Sequence, residues 1–289
     1  MSNKITIVTG FFDIGRKDYT EIPRTNENYI SYFSRWARIQ NDMVCYVETQ
    51  ELAERVLEIR DQFGLKDKTV VSIVENIFSQ EPELLAKMEE VSQNEDYLNF
   101  RERREAPENK AKYDYIMLMK AYCLKDASEN FVKDGYVAWI DFGWEHGGRA
   151  YESEKDYEFE WSYDFGDKVN LFYIPPITQK PIFEMVRTLG PDCVMGAPIV
   201  CPVGKATEFY NTTINSMWKL VEFGVIDDDQ LVFTLAQRNH PELIELKPSY
   251  WFMPIRDYGG SHMRAKPPKK KTFCQKIKSK VKKLLGIRR

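Results

Sequence analysis

The feature that most constrains the fold is an early alternation of short β-branched runs with segments of helical period. Lys4 to Phe12 (KITIVTGFF) is apolar and β-branched, and it gives way at Thr9-Gly10 to the turn residues Asp13-Ile14-Gly15-Arg16. That pattern reads as a strand feeding a loop. Residues 28–40 set Tyr29, Phe33, Trp36 and Ala37 at helical spacing; residues 43–47 read as a second strand, 51–63 as a helix and 69–74 as a third strand. Parallel strands joined in this order need right-handed crossovers, so the expected class is α/β, a mixed, mainly parallel sheet flanked by helices. The opening has the character of a nucleotide-binding half. It contains neither G-x-G-x-x-G nor G-x-x-x-x-G-K-[ST], which removes a dinucleotide fingerprint and a Walker loop from consideration.

Further along, residues 80–112 are charged and punctuated by Pro82 and Pro107, which predicts a helix plus a mobile connection, and 112–129 predicts a firmer helix. Tyr136 to Ile140 lacks alternation, as expected of a strand covered on both faces, and it delivers Asp141 at its end. Ligands bind outside the carboxyl ends of strands in open α/β sheets, so Asp141 is either a metal or substrate contact or a cap on the turn at Gly143. The tripeptide Asp141-Phe142-Gly143 is not a kinase motif here, because no Gly-rich loop, strand Lys or H-R-D loop precedes it. Residues 152–167 are polar and aromatic without any simple period. Strands are expected over 169–173 and 193–201 and helices over 181–189, 205–223 and 231–237; Gly196, inside a strand, marks a close approach by backbone or ligand.

A chain of 289 residues can bury roughly 75% of its unfolded surface and needs no disulfide or metal to fold. Its five cysteines form no C-x-x-C pair, the usage of a reducing compartment. The start shows no signal-peptide pattern, and no run approaches the ~20 apolar residues of a membrane span. The net charge of −3 hides an asymmetry: residues 266–289 carry 11 Lys or Arg and no acid, leaving 30 basic against 44 acidic residues before them. An acidic body excludes a general nucleic-acid-binding surface, so no nucleic-acid partner is expected.

TGFFDIGR (9–16) and AWIDFG (138–143), in this order, resemble the signature segments of the HtrL/YibB family, bacterial proteins associated with lipopolysaccharide and surface-polysaccharide loci. YISYFSRWARIQNDMVCYVE and DDDQLVF between and after them are similar in order and character, so the resemblance runs from residue 4 to about 262. It implies a GT-A-like, Rossmann-type domain over residues 1–265 and a glycosyltransferase using a nucleotide diphospho-sugar, with a UDP-sugar the expected donor. Such enzymes place an Asp-x-Asp motif at a strand end, where a divalent cation neutralises the leaving diphosphate. Asp141 stands at the first Asp position and Gly143 at the second, a departure that puts the metal in doubt.

The remaining site residues come from the same resemblance. His262, in the loop Asp257 to His262, is the expected second metal ligand, with Mn2+ favoured over Mg2+ because imidazole suits manganese better; its plain alternative is a surface loop histidine. Glu145 and His146 compete for that role. Asp229 is the expected general base or acceptor contact, with Asp228 and Gln230 beside it, although acids at a helix start also cap exposed N–H groups. Arg16 and Lys120 are expected at the diphosphate, and Thr9, Gly10, Phe12 and Asp13 at the nucleotide. The acceptor would be a saccharide or a lipid-linked glycan. A non-catalytic nucleotide-sugar-binding protein, or a nucleotidyltransferase releasing pyrophosphate, are the rival readings.

After Pro267-Pro268, residues Phe273, Ile277, Val281, Leu284 and Leu285 recur at helical spacing among lysines. Residues 266–289 therefore predict a basic amphipathic helix lying on an anionic membrane surface, each basic residue contributing about 1 kcal/mol, with a nucleic-acid-binding or calmodulin-like target tail as the alternative. The protein is accordingly expected in the cytoplasm, peripheral to the inner membrane.

Overall fold

A computed structural model describes residues 3–190 and 194–267. The expected membrane-associating helix over 266–289 lies, but for its first two residues, outside the described residues. The strands are β1 (Ile5–Phe11), β2 (Met43–Val47), β3 (Thr69–Ile73), β4 (Tyr136–Trp139), β5 (Val169–Tyr173), β6 (Val194–Pro202) and β7 (Ile244–Pro248). The helices are α1 (Asn26–Trp36), α2 (Gln50–Asp61), α3 (Pro82–Ser92), α4 (Glu95–Phe100), α5 (Ala111–Asn130), α6 (Ile182–Thr188), α7 (Ala206–Glu222), α8 (Asp229–Asn239) and α9 (Pro254–Asp257).

The strands form one sheet in the order β3-β2-β1-β4-β6-β5-β7. Parallel pairs join β1 to β2, β2 to β3, β1 to β4 and β5 to β7, whereas β6 runs antiparallel to both β4 and β5. The mixed, mainly parallel α/β sheet expected from the sequence, Rossmann-like in its first half, is therefore what forms. β2, β4 and β6 are buried at every position, because helices cover both faces, and this is why their sequences do not alternate.

Strand order reverses at β1. The chain winds outward through β2 and β3, then returns to lay β4 on the other side of β1, which opens a crevice at the shared carboxyl edge of β1 and β4. Because β6 is antiparallel to β4, its amino-terminal end reaches the same edge: Trp139 pairs with Ile199, and Gly196 lies further along β6 toward that edge. Helix α5 packs on β1, β4, α3 and α7 and spans the sheet behind that edge.

One expectation needed correction, and two segments take a form the sequence did not predict. Residues 80–112 hold two helices and a 3-10 turn at Pro107–Asn109 rather than one helix and a mobile connection; the buried Arg101 clamps them through Asn109, Glu108 O and Val186 O. The aperiodic stretch 152–167 is core filling, with Tyr157, Trp161 and Phe165 fully or almost fully buried along an irregular path. Strand β7 went unread because it is an edge strand, half-buried, carrying Glu245 and Lys247 and closing on Pro248.

Candidate functional site

The crevice at the β1/β4 edge is a cleft of about 490 Å³, lined by the loop after β1, the first half of α5, the segment after β4, the start of β6 and the start of α8. Its floor is organised around Lys120. This residue faces inward from α5 and is only 3% exposed. Its ammonium lies 2.8 Å from Asp141 Oδ1 and 2.5 Å from Asp229 Oδ2 and donates to Gly196 O at 3.2 Å. Burial works to lower the Lys120 pKa, but Asp141 and then Asp229 outweigh it and hold it above the ordinary lysine value, so the ammonium stays charged.

Asp141 leaves the sheet at the carboxyl end of β4, and its side chain is 43% exposed. Trp139 Nε1 donates to the same Oδ1 at 2.7 Å, so two donors fix this carboxylate while Oδ2 takes neither. Asp229, 2% exposed, sits in the first turn of α8. Its pKa is raised, chiefly by burial and then by Asp141, against the pull of Lys120. Lys120 moves upward because two carboxylates face one ammonium, and Asp229 moves upward because burial and Asp141 outweigh that ammonium. A Cβ at Gly196 would fall 2.6 Å from Asp229 Oδ1 and 2.7 Å from its Cγ, so only glycine admits this carboxylate. The group that approaches Gly196 is neither backbone nor ligand but a side chain, the Asp229 carboxylate.

The other acids of the run have structural work. Asp227 pairs with the buried Arg101 at 2.6 Å and accepts from the Asp228 amide; burial pushes it up to about 6 despite that arginine. Asp228 caps α8 by accepting from Gln230 N, and the Gln230 side chain turns back onto Asp228 Oδ2. Burial, then Asp229 and Asp227, raise Asp228 well above the ordinary range. Behind them Asp114 is fully buried with neither oxygen hydrogen-bonded, and burial, then Asp227 and Asp228, favour its neutral acid.

At the opposite wall Arg16 is 8% exposed. Its guanidinium stacks between the rings of Tyr19 and Tyr113, 4.9 Å from each, and gives one bond, Nη2 to Ile22 O at 3.3 Å. Nε and Nη1 are buried without a hydrogen-bond partner. A buried guanidinium with idle donors is costly unless an anion completes it. Gly10, Phe12 and Asp13 also line the cleft. The Asp13 carboxylate is used locally, accepting from the Gly15 amide and Asn26 Nδ2, which shapes the turn through Gly15 at φ 71°. Thr9 is not brought to the cleft: it is fully buried within β1.

The two expected metal ligands are not brought together. His262 Nε2 donates to Asp156 O at 3.0 Å and its ring meets Phe159 edge-on, away from the residues lining the cleft. Glu145 turns into the interior and accepts from the Ala150 and Tyr151 amides. A hard divalent ion needs several converging oxygen ligands. Here the two converging carboxylates already share an ammonium, and among the described residues no group of three or more His, Cys, Asp or Glu is disposed to hold a metal ion. The residues present do not fit a divalent cation. Removing Lys120 from between the carboxylates would leave a buried unpaired charge, worth about 3–5 kcal/mol.

A family model described as "Bacterial protein of unknown function (HtrL_YibB)" matches residues 3–259. The chain belongs to this family. Among curated proteins it is similar to Protein HtrL of Escherichia coli (strain K12), with 28% identity over 285 residues, covering 92% of this chain and 96% of that protein. No solved structure matches. The HtrL/YibB match takes in all seven strands of the sheet together with Lys120, Asp141 and Asp229, and it stops short of His262. Among the described residues no helix is long and apolar enough to cross a membrane.

Sequence reasoning missed Tyr113, Arg24 and Arg149 in the cleft lining. Tyr113 stands two helical turns before Lys120 on α5, a spacing that puts both on one face and that could have found it. His146, weighed from the sequence as a metal ligand, lines the cleft. Its Nδ1 donates to Gly143 O at 3.1 Å and its Nε2 faces Arg24 at 3.5 Å. Burial first, then Arg24 and Arg149, with Asp141 opposing, lower its pKa from 6.5 to about 4. The unfolded imidazole takes its proton near 6.5 and the folded one only near 4, so the unfolded state binds more protons across that window and stability falls as pH falls through it. With allowance for partial exposure the loss is about 2 kcal/mol. Urea unfolding of wild type and His146→Gln at several pH values should show a shallower acid slope for the variant.

Proposed function

We propose that this HtrL/YibB protein is a GT-A-like glycosyltransferase that moves a sugar from a nucleotide diphospho-sugar to a hydroxyl of a saccharide or lipid-linked acceptor. The observation that carries the reading is Arg16: a buried guanidinium with two idle donors at one wall of a cleft whose floor presents a fixed carboxylate, Asp141. A diphosphate supplies the anion that Arg16 lacks, and Tyr19 and Tyr113 hold the guanidinium plane to meet it. In the transfer, the bond between the anomeric carbon and the β-phosphate oxygen breaks, and its electron pair leaves with the nucleoside diphosphate. The acceptor oxygen bonds to the same carbon, and its proton passes to a carboxylate.

Asp141 suits that last task better than Asp229, because it is half-open to the cleft while Asp229 is buried against Lys120. Asp229 then holds the floor together, while Asp228 and Gln230, which also line the cleft where an acceptor would enter, cap α8. Isothermal titration with UDP tests the donor site. Wild type should bind, and Arg16→Gln should bind at least about tenfold more weakly, the worth of one charge-assisted bond. Donor hydrolysis should vanish in Asp141→Asn with UDP binding retained. Binding without any turnover in wild type would favour a nucleotide-sugar-binding module, and no binding of any nucleoside diphosphate would end the reading.

A further inference from the structure

We propose that the Lys120 ammonium is built into this cleft in the place of a divalent cation, so that the site binds its diphosphate substrate and turns it over without metal. The inference rests on the donor reading above and adds what supplies the positive charge on the cleft floor.

Three observations converge on it. First, the ammonium donates to Gly196 O and lies within ion-pair distance of Asp141 Oδ1 and Asp229 Oδ2, three oxygens delivered by three separate elements at one sheet edge. That convergence of oxygens is what a hard cation would otherwise require, and the ammonium already stands at its centre. Second, the position after Phe142 is Gly143, whose absent side chain leaves room for Tyr29: a Cβ there would lie 3.1 Å from two of its ring carbons. A second carboxylate at that position would have to displace the ring. Third, Gly196 exists to let the Asp229 carboxylate in, and Asp229 meets Lys120 rather than open space. The sequence difference at Gly143 and the pairing at Lys120 are thus two sides of one substitution of a fixed cation for a mobile one.

Lys120 is a positioning residue. Its charge fixes the orientation of Asp141 and offsets the two carboxylates that would otherwise repel an incoming diphosphate. A side chain anchored this way costs no reorganisation when charge develops on the leaving group.

The test uses Mn2+ and UDP on the full chain. Wild type should show no Mn2+ binding by electron paramagnetic resonance, and its UDP affinity and donor turnover should be the same in excess EDTA as in excess Mn2+. Lys120→Ala removes the ammonium and leaves two carboxylates facing each other. It should melt at a lower temperature, gain a single-site Mn2+ signal absent from wild type, and recover part of its melting temperature when Mn2+ is added. A purely packing role for Lys120 would lower the melting temperature with no gain of metal binding. If Lys120→Ala does not fold, Asp141→Asn in an otherwise intact chain serves: wild-type Mn2+ binding that this change removes overturns the proposal. UDP binding that requires Mn2+ in wild type overturns it as well. Absence of UDP binding under every condition, with no wild-type Mn2+ site, instead counts against the donor reading alone.

Discussion

Asp227→Ala is expected to destabilise the protein by about 3–5 kcal/mol, enough to consume much of the stability of an ordinary domain. Arg101 is fully buried at its side chain and its partner Asp227 nearly so, at 2.6 Å. The guanidinium keeps its bonds to Asn109, Val186 O and Glu108 O after the change, but its charge loses the neighbour that compensates it. The neighbourhood cannot supply a replacement anion cheaply, since Asp114 is held in its neutral form by burial beside Asp227 and Asp228. Asp227→Asn should fall between wild type and Asp227→Ala, keeping a hydrogen-bond acceptor without the charge. Urea midpoints at fixed slope measure the series. A cost for Asp227→Ala below about 1 kcal/mol, the range of exposed pairs, would mean that the cluster is wetter than its burial indicates.

Gly196→Ala should be the most damaging single methyl group near the cleft. The added carbon meets the Asp229 carboxylate at well under van der Waals distance, and that carboxylate cannot swing aside without leaving Lys120. Overpacking of this kind costs about 1–3 kcal/mol, and the displaced Asp229 releases Lys120 and through it the orientation of Asp141. Donor turnover should therefore drop far more than the stability loss alone would dictate. Gly204→Ala makes the control: nothing lies within 4 Å of a Cβ there, so both stability and turnover should stay close to wild type.

Much of the sheet was legible because its strands announce themselves by composition. Residues 43–47 and 169–173 were read at the bounds they adopt, and apart from Asn170 each consists of apolar, aromatic or β-branched residues, buried but for the half-buried Tyr173. β7 was not legible, since an edge strand with alternating charges and a terminal proline has the composition of a loop. The aromatics of 152–167 were visible as residues but not as core, because no regular backbone repeats them on one face. At the site, Asp141, Arg16 and Lys120 were each marked, yet the pairing of Lys120 with Asp141 and Asp229 was not. Their convergence is created by β6 running against β4 and by the docking of α8, neither of which leaves a local trace. The same limit misplaced His262: a Gly-rich loop late in the chain says nothing about which edge of the sheet it covers.

The shared ammonium also bears on how such a chain can change over generations. Losing Lys120 turns Asp141 and Asp229 from partners into mutually repelling neighbours, and losing either acid strands part of a buried charge. No single replacement at these three positions leads to an equally good alternative. Drift here must proceed by coupled substitutions, with glycine at 196 free to vary only once Asp229 has gone.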